Sequence, residues 1–162
     1  METIITAATV LAMYFNAINS NEVNYMYNGD MEDGKVNKIE VYEKNADDRM
    51  TQKMEYCYEY DEQGRLSNKE MLSWNEAKKA WVKSSRLSYK YFKNGYNVEV
   101  SQWNDAKQAY DLPSEVTLYR QVAPSLTSVK TYKMNETQDN MYLTSRMMVM
   151  DSLDSQLLAT TR

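Results

Sequence analysis

Residues 74–81 read Trp74-Asn75-Glu76-Ala77-Lys78-Lys79-Ala80-Trp81, and 29 positions later residues 103–110 read Trp103-Asn104-Asp105-Ala106-Lys107-Gln108-Ala109-Tyr110. Each unit is a polar loop closed by an aromatic residue at both ends. The flanks alternate with period two, the mark of half-buried antiparallel strands. Trp81, Leu87, Tyr89 and Tyr91 share one parity, opposite Ser84, Arg86, Ser88 and Lys90, and Leu66, Leu72 and Trp74 share another. In a hairpin the loop ends face each other, so the spacing predicts Trp74 opposite Trp81 and Trp103 opposite Tyr110. Such cross-strand pairs contribute ~0.2–1 kcal/mol to a sheet. The same rings also make a row one hairpin apart, suited to stacking against sugar rings or a partner surface. Trp74, Trp81, Trp103, Tyr110, Asn75 and Asn104 are therefore the candidate ligand or partner surface, with Glu76 and Asp105 as further hydroxyl partners.

Outward from this centre the chain reads as strand and turn throughout. Val23–Asn28 is a strand candidate, followed by an acidic turn over 29–34 with Gly29 and Gly34 at its ends. Val36–Glu43 alternates, with Ile39 and Val41 on one face, and Asn45–Asp48 turns the chain into a strand ending at Tyr60. Asp61-Glu62-Gln63-Gly64 suits a type I turn with a left-handed last residue. Lys93-Asn94-Gly95 and Val122–Ser125 are further turns, and Leu126–Lys133 with Met141–Met150 forms the last pair. A shift of 31 places sets Asn135 against Asn104, and Met147 and Val149 against Val116 and Leu118. A period near thirty holds one hairpin, which must stack on its neighbours to bury its apolar face. The expected fold is all-β: an antiparallel meander of about nine strands, twisted or curled because a sheet that wide rarely stays flat.

Tyr58-Glu59-Tyr60-Asp61-Glu62-Gln63-Gly64-Arg65-Leu66 resembles the Tyr-x-Tyr-Asp-x-x-Gly-Arg-Leu unit of YD-type (Rhs-like) repeats. The Trp-Asn-x5-Trp loop resembles hairpin-repeat proteins exported by Bacteroidetes. Over about Asn21 to Met150 the chain is similar to a family of small exported Bacteroidetes proteins of unknown function, its specific motifs lying within 56–119. The resemblance implies an extracytoplasmic all-β protein and brings no catalytic residues with it. In the next hairpin Lys93-Asn94-Gly95 stands where the Asp-x-x-Gly turn would be.

Composition narrows the function classes. The 162 residues suit one domain, and 19 basic against 23 acidic residues, both signs scattered, argue against nucleic acid as a partner. Fourteen Tyr and twelve Met against two Phe suit a thin sheet with half-wet faces. The absence of His removes the commonest general base and metal ligand. Ile4–Phe15 is an apolar run too short for a permanent membrane span, which needs ~20 residues. Its length and position fit a signal peptide over 1–20, cleaved between Ala17 and Asn21, although Glu2 stands where a basic residue belongs. The alternative is a strand or helix tucked on the domain. A repeat domain over 21–151 and a tail over 152–162 complete the division.

Cys57 is the lone cysteine, flanked on its own side by Glu55 and Glu59, which disfavours a thiolate. Asp30, Glu32 and Asp33 lack the alternation of a calcium loop. Glu55 and Glu59, on one strand face near Glu70 or Lys69 of the next, are the acids a carboxylate-based hydrolase would use. No catalytic, metal or cofactor site is expected. The leading expectation is an exported non-catalytic module that binds a protein partner or polysaccharide. A self-associating sheet pairing through an edge or the Met147–Met150 strip is the alternative, ahead of a hydrolase.

Overall fold

The computed structural model describes residues 4–19 and 24–150. The strands are β1 Tyr25–Glu32, β2 Lys35–Lys44, β3 Met50–Tyr60, β4 Leu66–Asn75, β5 Ala80–Phe92 and β6 Gly95–Asn104, followed by β7 Ala109–Tyr110, β8 Glu115–Ala123, β9 Leu126–Met134 and β10 Met141–Met150. All pair antiparallel in the order β1-β2-β3-β4-β5-β6-β8-β9-β10, and the two-residue β7 pairs only with β6. The expected all-β meander is what forms, with nine long strands and one short one among the described residues. The sheet is open, with β1 and β10 as its edges. The tail at 152–162 and Val23 lie outside the described residues.

The acidic turn is shorter than the sequence suggests. β1 runs through Gly29 to Glu32, which pairs with Lys35, leaving a two-residue turn at Asp33 and Gly34 with φ of 50° and 74°. Positive φ at both positions is the type I′ hairpin, whose twist matches the strands. Asp61–Gly64 turns as expected, with Gly64 at φ 71°.

The apolar N-terminal run becomes a helix, α1 Ala7–Ile18, laid on one face against β1 and β2. Thr6 and Thr9 form a reciprocal capping box at its start. Ahead of the helix, Leu66 N donates to Ile5 O (2.8 Å) and Ala7 N to Gly64 O (3.1 Å). The Tyr91 hydroxyl lies 3.1 Å from Ile5 O and 2.8 Å from Leu66 O. Val10 and Tyr14 are buried, and together with Val36, Ile39, Val41 and Leu66 they make the core. Gly29 admits the Tyr14 ring: a Cβ there would lie 2.5 Å from Tyr14 Cζ. A strand glycine marks such a close approach. Among the described residues, no helix is long and apolar enough to cross a membrane.

Beyond the helix the sheet is a single layer whose centre is a tyrosine cluster. Tyr96 stacks on Tyr119 (4.5 Å between centroids, 11° between planes) with Tyr89 and Tyr91 at its flanks. Burial pushes the phenols of Tyr91 and Tyr96 up to about 12.

Bulges overturn part of the parity reading. The register slips by one residue at Ser67, at Ser84 and at Thr144. A single extra residue sends the rest of the strand to the opposite face. Leu66 therefore joins the helix-side core, while Leu72 and Trp74 point to the other face. Trp81 likewise lies with Arg86, opposite Leu87, Tyr89 and Tyr91. Met147 and Val149 lie on the helix side, opposite Val116 and Leu118, although the 31-residue shift aligns them.

Candidate functional site

The two aromatic-ended loops close as the spacing predicts. Trp74 pairs with Trp81, and Trp103 with Tyr110. Their geometries are nearly the same: centroids 5.2 Å apart at 72° in the first pair, 5.1 Å at 73° in the second. Such edge-to-face contacts set the positive rim of one ring against the negative face of the other. Lys79 and Gln108 take the left-handed positions, with φ of 49° and 51°.

Both brackets lie on the face opposite α1, and Lys83 of β5 reaches the second of them. It follows Trp81 by two residues on the same face. Its ammonium stands 5.1 Å from the Trp103 ring centroid and 5.7 Å from that of Tyr110. Lys83 also pairs with Glu70 (3.3 Å), and the Arg86 guanidinium sits 4.3 Å from the Tyr110 ring centroid. The Tyr110 hydroxyl is buried without a well-formed hydrogen bond. That burial, and the Glu70 carboxylate beside it, push the phenol far above its ordinary value.

The polar residues of the loops bond within the loops. Asn75 Oδ1 accepts from Lys78 N (2.9 Å), and Asn104 Oδ1 from Lys107 N (3.1 Å). Asn104 Nδ2 donates to Asp111 (3.0 Å). The indole N–H of Trp74 is taken by Glu76 (3.1 Å) and that of Trp103 by Asp105 (3.0 Å). The structure thus sets the four rings as two pairs on one face and commits both asparagines to loop closure.

Two features go beyond the sequence reading, which aligns Asn135 with Asn104 but gives neither Asn45 nor Asn135 a capping role. Asn45 and Asn135 cap their own turns at the same end of the sheet, with Oδ1 accepting from Asp47 and Arg49 and from Asp139 and Asn140. Asn45, Asn75, Asn104 and Asn135 follow the thirty-residue period, a signal visible in the sequence. Beside the Trp103 loop lies a cleft of about 260 Å³ between Asp111, Leu112 and Ser114 on one side and Met134–Gln138 on the other, with Gln102.

Of the acids of the hydrolase reading, Glu70 pairs with Lys83 beside the brackets, while Glu55 and Glu59 are tied elsewhere. Glu55, 8% exposed, lies 3.7 Å from Lys38 and accepts from Cys57 Sγ (3.6 Å). Glu59 accepts from Asn68 (2.8 Å). Burial, then the Glu55 carboxylate, push the Cys57 thiol up to about 11. Of the acidic trio only Asp33 sits in the turn, while Asp30 and Glu32 belong to β1. Among the described residues, no group of three acidic or cysteine side chains could hold a metal ion.

No curated protein matches this chain. A crystal structure of a protein of unknown function from Bacteroides fragilis is similar at 27% identity, covering 80% of this chain and 94% of that one, with a TM-score of 0.69. A DUF3836 family protein from Bacteroides vulgatus is similar at 25% identity over 59% of this chain and 97% of its own, with a TM-score of 0.55. The sequence profile described as a family of unknown function, DUF3836, matches residues 1–121. The chain therefore belongs to the DUF3836 family of unknown function.

Proposed function

We propose that this protein is an exported, non-catalytic binding module whose ligand lies along the two aromatic brackets. The observation that carries this reading is Lys83, which reaches from the strand of Trp81 to the Trp103–Tyr110 pair on the face that both brackets share. Half-buried rings with cations between them suit an extended polar ligand, and a polysaccharide fits best. Sugar rings would stack on the indoles, and the neighbouring cleft offers Gln102, Asp111, Glu136 and Gln138 to hydroxyls. The loop asparagines play no direct part in this reading. The likeness of residues 58–66 to YD-type units supports a hairpin array built for display.

Trp81→Ala and Trp103→Ala should each lower the melting temperature and abolish binding on a glycan array. If both lower the melting temperature and array binding is unchanged, the rings serve only the sheet. Export is tested by N-terminal sequencing of the mature protein from a native host: a start between residues 18 and 22 supports it, and an intact Met1 removes it.

A second reading, self-association, is favoured by β10. Met147, Met148, Val149 and Met150 are 44–72% exposed on an edge strand. Exposed apolar edges are templates for pairing. Sizing chromatography across a hundredfold concentration range separates the readings, because a dimer broken by Met148→Lys supports the second.

A further inference from the structure

The helix side of the sheet holds another concavity, of about 140 Å³, between α1 and strands β1 to β4. Met13 and Tyr14 of the helix face Tyr27, Tyr56 and Tyr58 of the sheet, and Lys69 completes the wall. Among the described residues, Lys69 is the only charged group lining it. Its ammonium lies 4.1 Å from the Tyr56 ring centroid and 5.6 Å from that of Tyr58. Its cross-strand neighbours are Tyr58 and Leu87, so the register gives it no carboxylate. Glu59 and Glu70, the nearest acids along and across the strands, alternate onto the opposite face, where Asn68 and Lys83 hold them. Burial alone draws the Lys69 amine below its ordinary value.

A half-buried cation with no carboxylate beside it among the described residues is costly, and tyrosine faces compensate only in part. A cavity of ~150 Å³ takes a benzene ring. A phosphate would bring a second charge that no second cation here meets. We propose that this pocket binds a small monocarboxylate with a flat apolar body, of benzoate size, its carboxylate on Lys69 and its ring among Tyr27, Tyr56 and Tyr58. The site is separate from the tryptophan brackets, but it needs Met13 and Tyr14 and so belongs to the chain that keeps α1; a chain cut between residues 17 and 21 lacks it.

The test uses the full chain and two probes, benzoate and its neutral near-isostere benzamide, titrated calorimetrically. Benzoate should bind saturably and roughly tenfold or more tightly than benzamide, the difference expected of a charge-assisted hydrogen bond. Lys69→Met keeps the stem and should erase that preference. Wild-type protein gives an independent reading: saturating benzoate should slow acetylation of Lys69 by acetic anhydride, followed by peptide mass spectrometry. The proposal is overturned by equal affinity for both probes, by no saturable benzoate binding to the folded chain, by a preference that survives Lys69→Met, or by unprotected Lys69.

Discussion

Gly29→Ala tests the docking of α1. The new Cβ would lie 2.5 Å from Tyr14 Cζ, 2.8 Å from its hydroxyl oxygen and 2.9 Å from Cε2. Carbon atoms rest at about 3.5–4.0 Å, so the ring must withdraw by about 1 Å. Losing the whole ring contact would expose roughly 150–250 Å², or about 4–6 kcal/mol, an upper bound. Partial tilting costs about 1–3 kcal/mol, as overpacking usually does. Removing a strand glycine returns about 0.5–1 kcal/mol. The net expectation is a loss of about 1–2 kcal/mol in urea unfolding followed by tryptophan fluorescence. In a Tyr14→Ala background the clash is gone, and the same substitution should stabilise by about 0.5–1 kcal/mol. A chain beginning at residue 21 should respond as that background does. The reasoning fails if Gly29→Ala is neutral in the full chain, or equally damaging without Tyr14.

Three other outcomes follow from named contacts. Cys57, its thiol at about 11, should react with iodoacetamide at pH 8 about a hundredfold more slowly than a free thiol near 9. Glu55→Gln should quicken the reaction only modestly, because burial is the larger cause. The Lys38 hydrogen bond, then that of Tyr42, holds the Glu40 carboxyl below its ordinary 4.5. Its contribution to stability is therefore whole above pH 4.5 and lost as pH falls through the lower folded-state value, and Glu40→Gln should flatten the acid limb of the stability curve. Asn104→Ala should cost about 0.5–1.5 kcal/mol by thermal melting and leave ligand affinity unchanged, since the amide is spent on Lys107 and Asp111. Lost affinity with unchanged stability would put that amide on the ligand instead.

Strand count, strand order and the facing of both aromatic pairs were legible because alternation and loop spacing are local signals. The faces were not. Ser67, Ser84 and Thr144 each add one residue to a ladder, and no residue type announces a bulge. Parity counted through such a point puts Leu66 beside Trp74, when one is core and the other lies across the sheet. The length of the acidic turn was obscured because Gly29 reads as a turn residue when only its packing partner is unseen. That partner, Tyr14, lies in a run whose composition resembles a leader. The surroundings of Lys69 were illegible for the same reason, since its separation from Glu59 and Glu70 depends on which face each neighbour takes.

Every strand pairing in the meander joins near neighbours in sequence, whereas the N-terminal segment reaches far: the Tyr91 hydroxyl meets Ile5 O across 86 residues. Closing that distance is an entropic cost met only once the sheet exists to receive it. We expect the hairpins to zip first and α1 to dock after the transition state. Stopped-flow chevrons would then show Gly29→Ala steepening escape from the native state with the refolding limb unmoved. The helix is in that sense a latch on a finished sheet: ahead of every strand in the chain and the last to find its place.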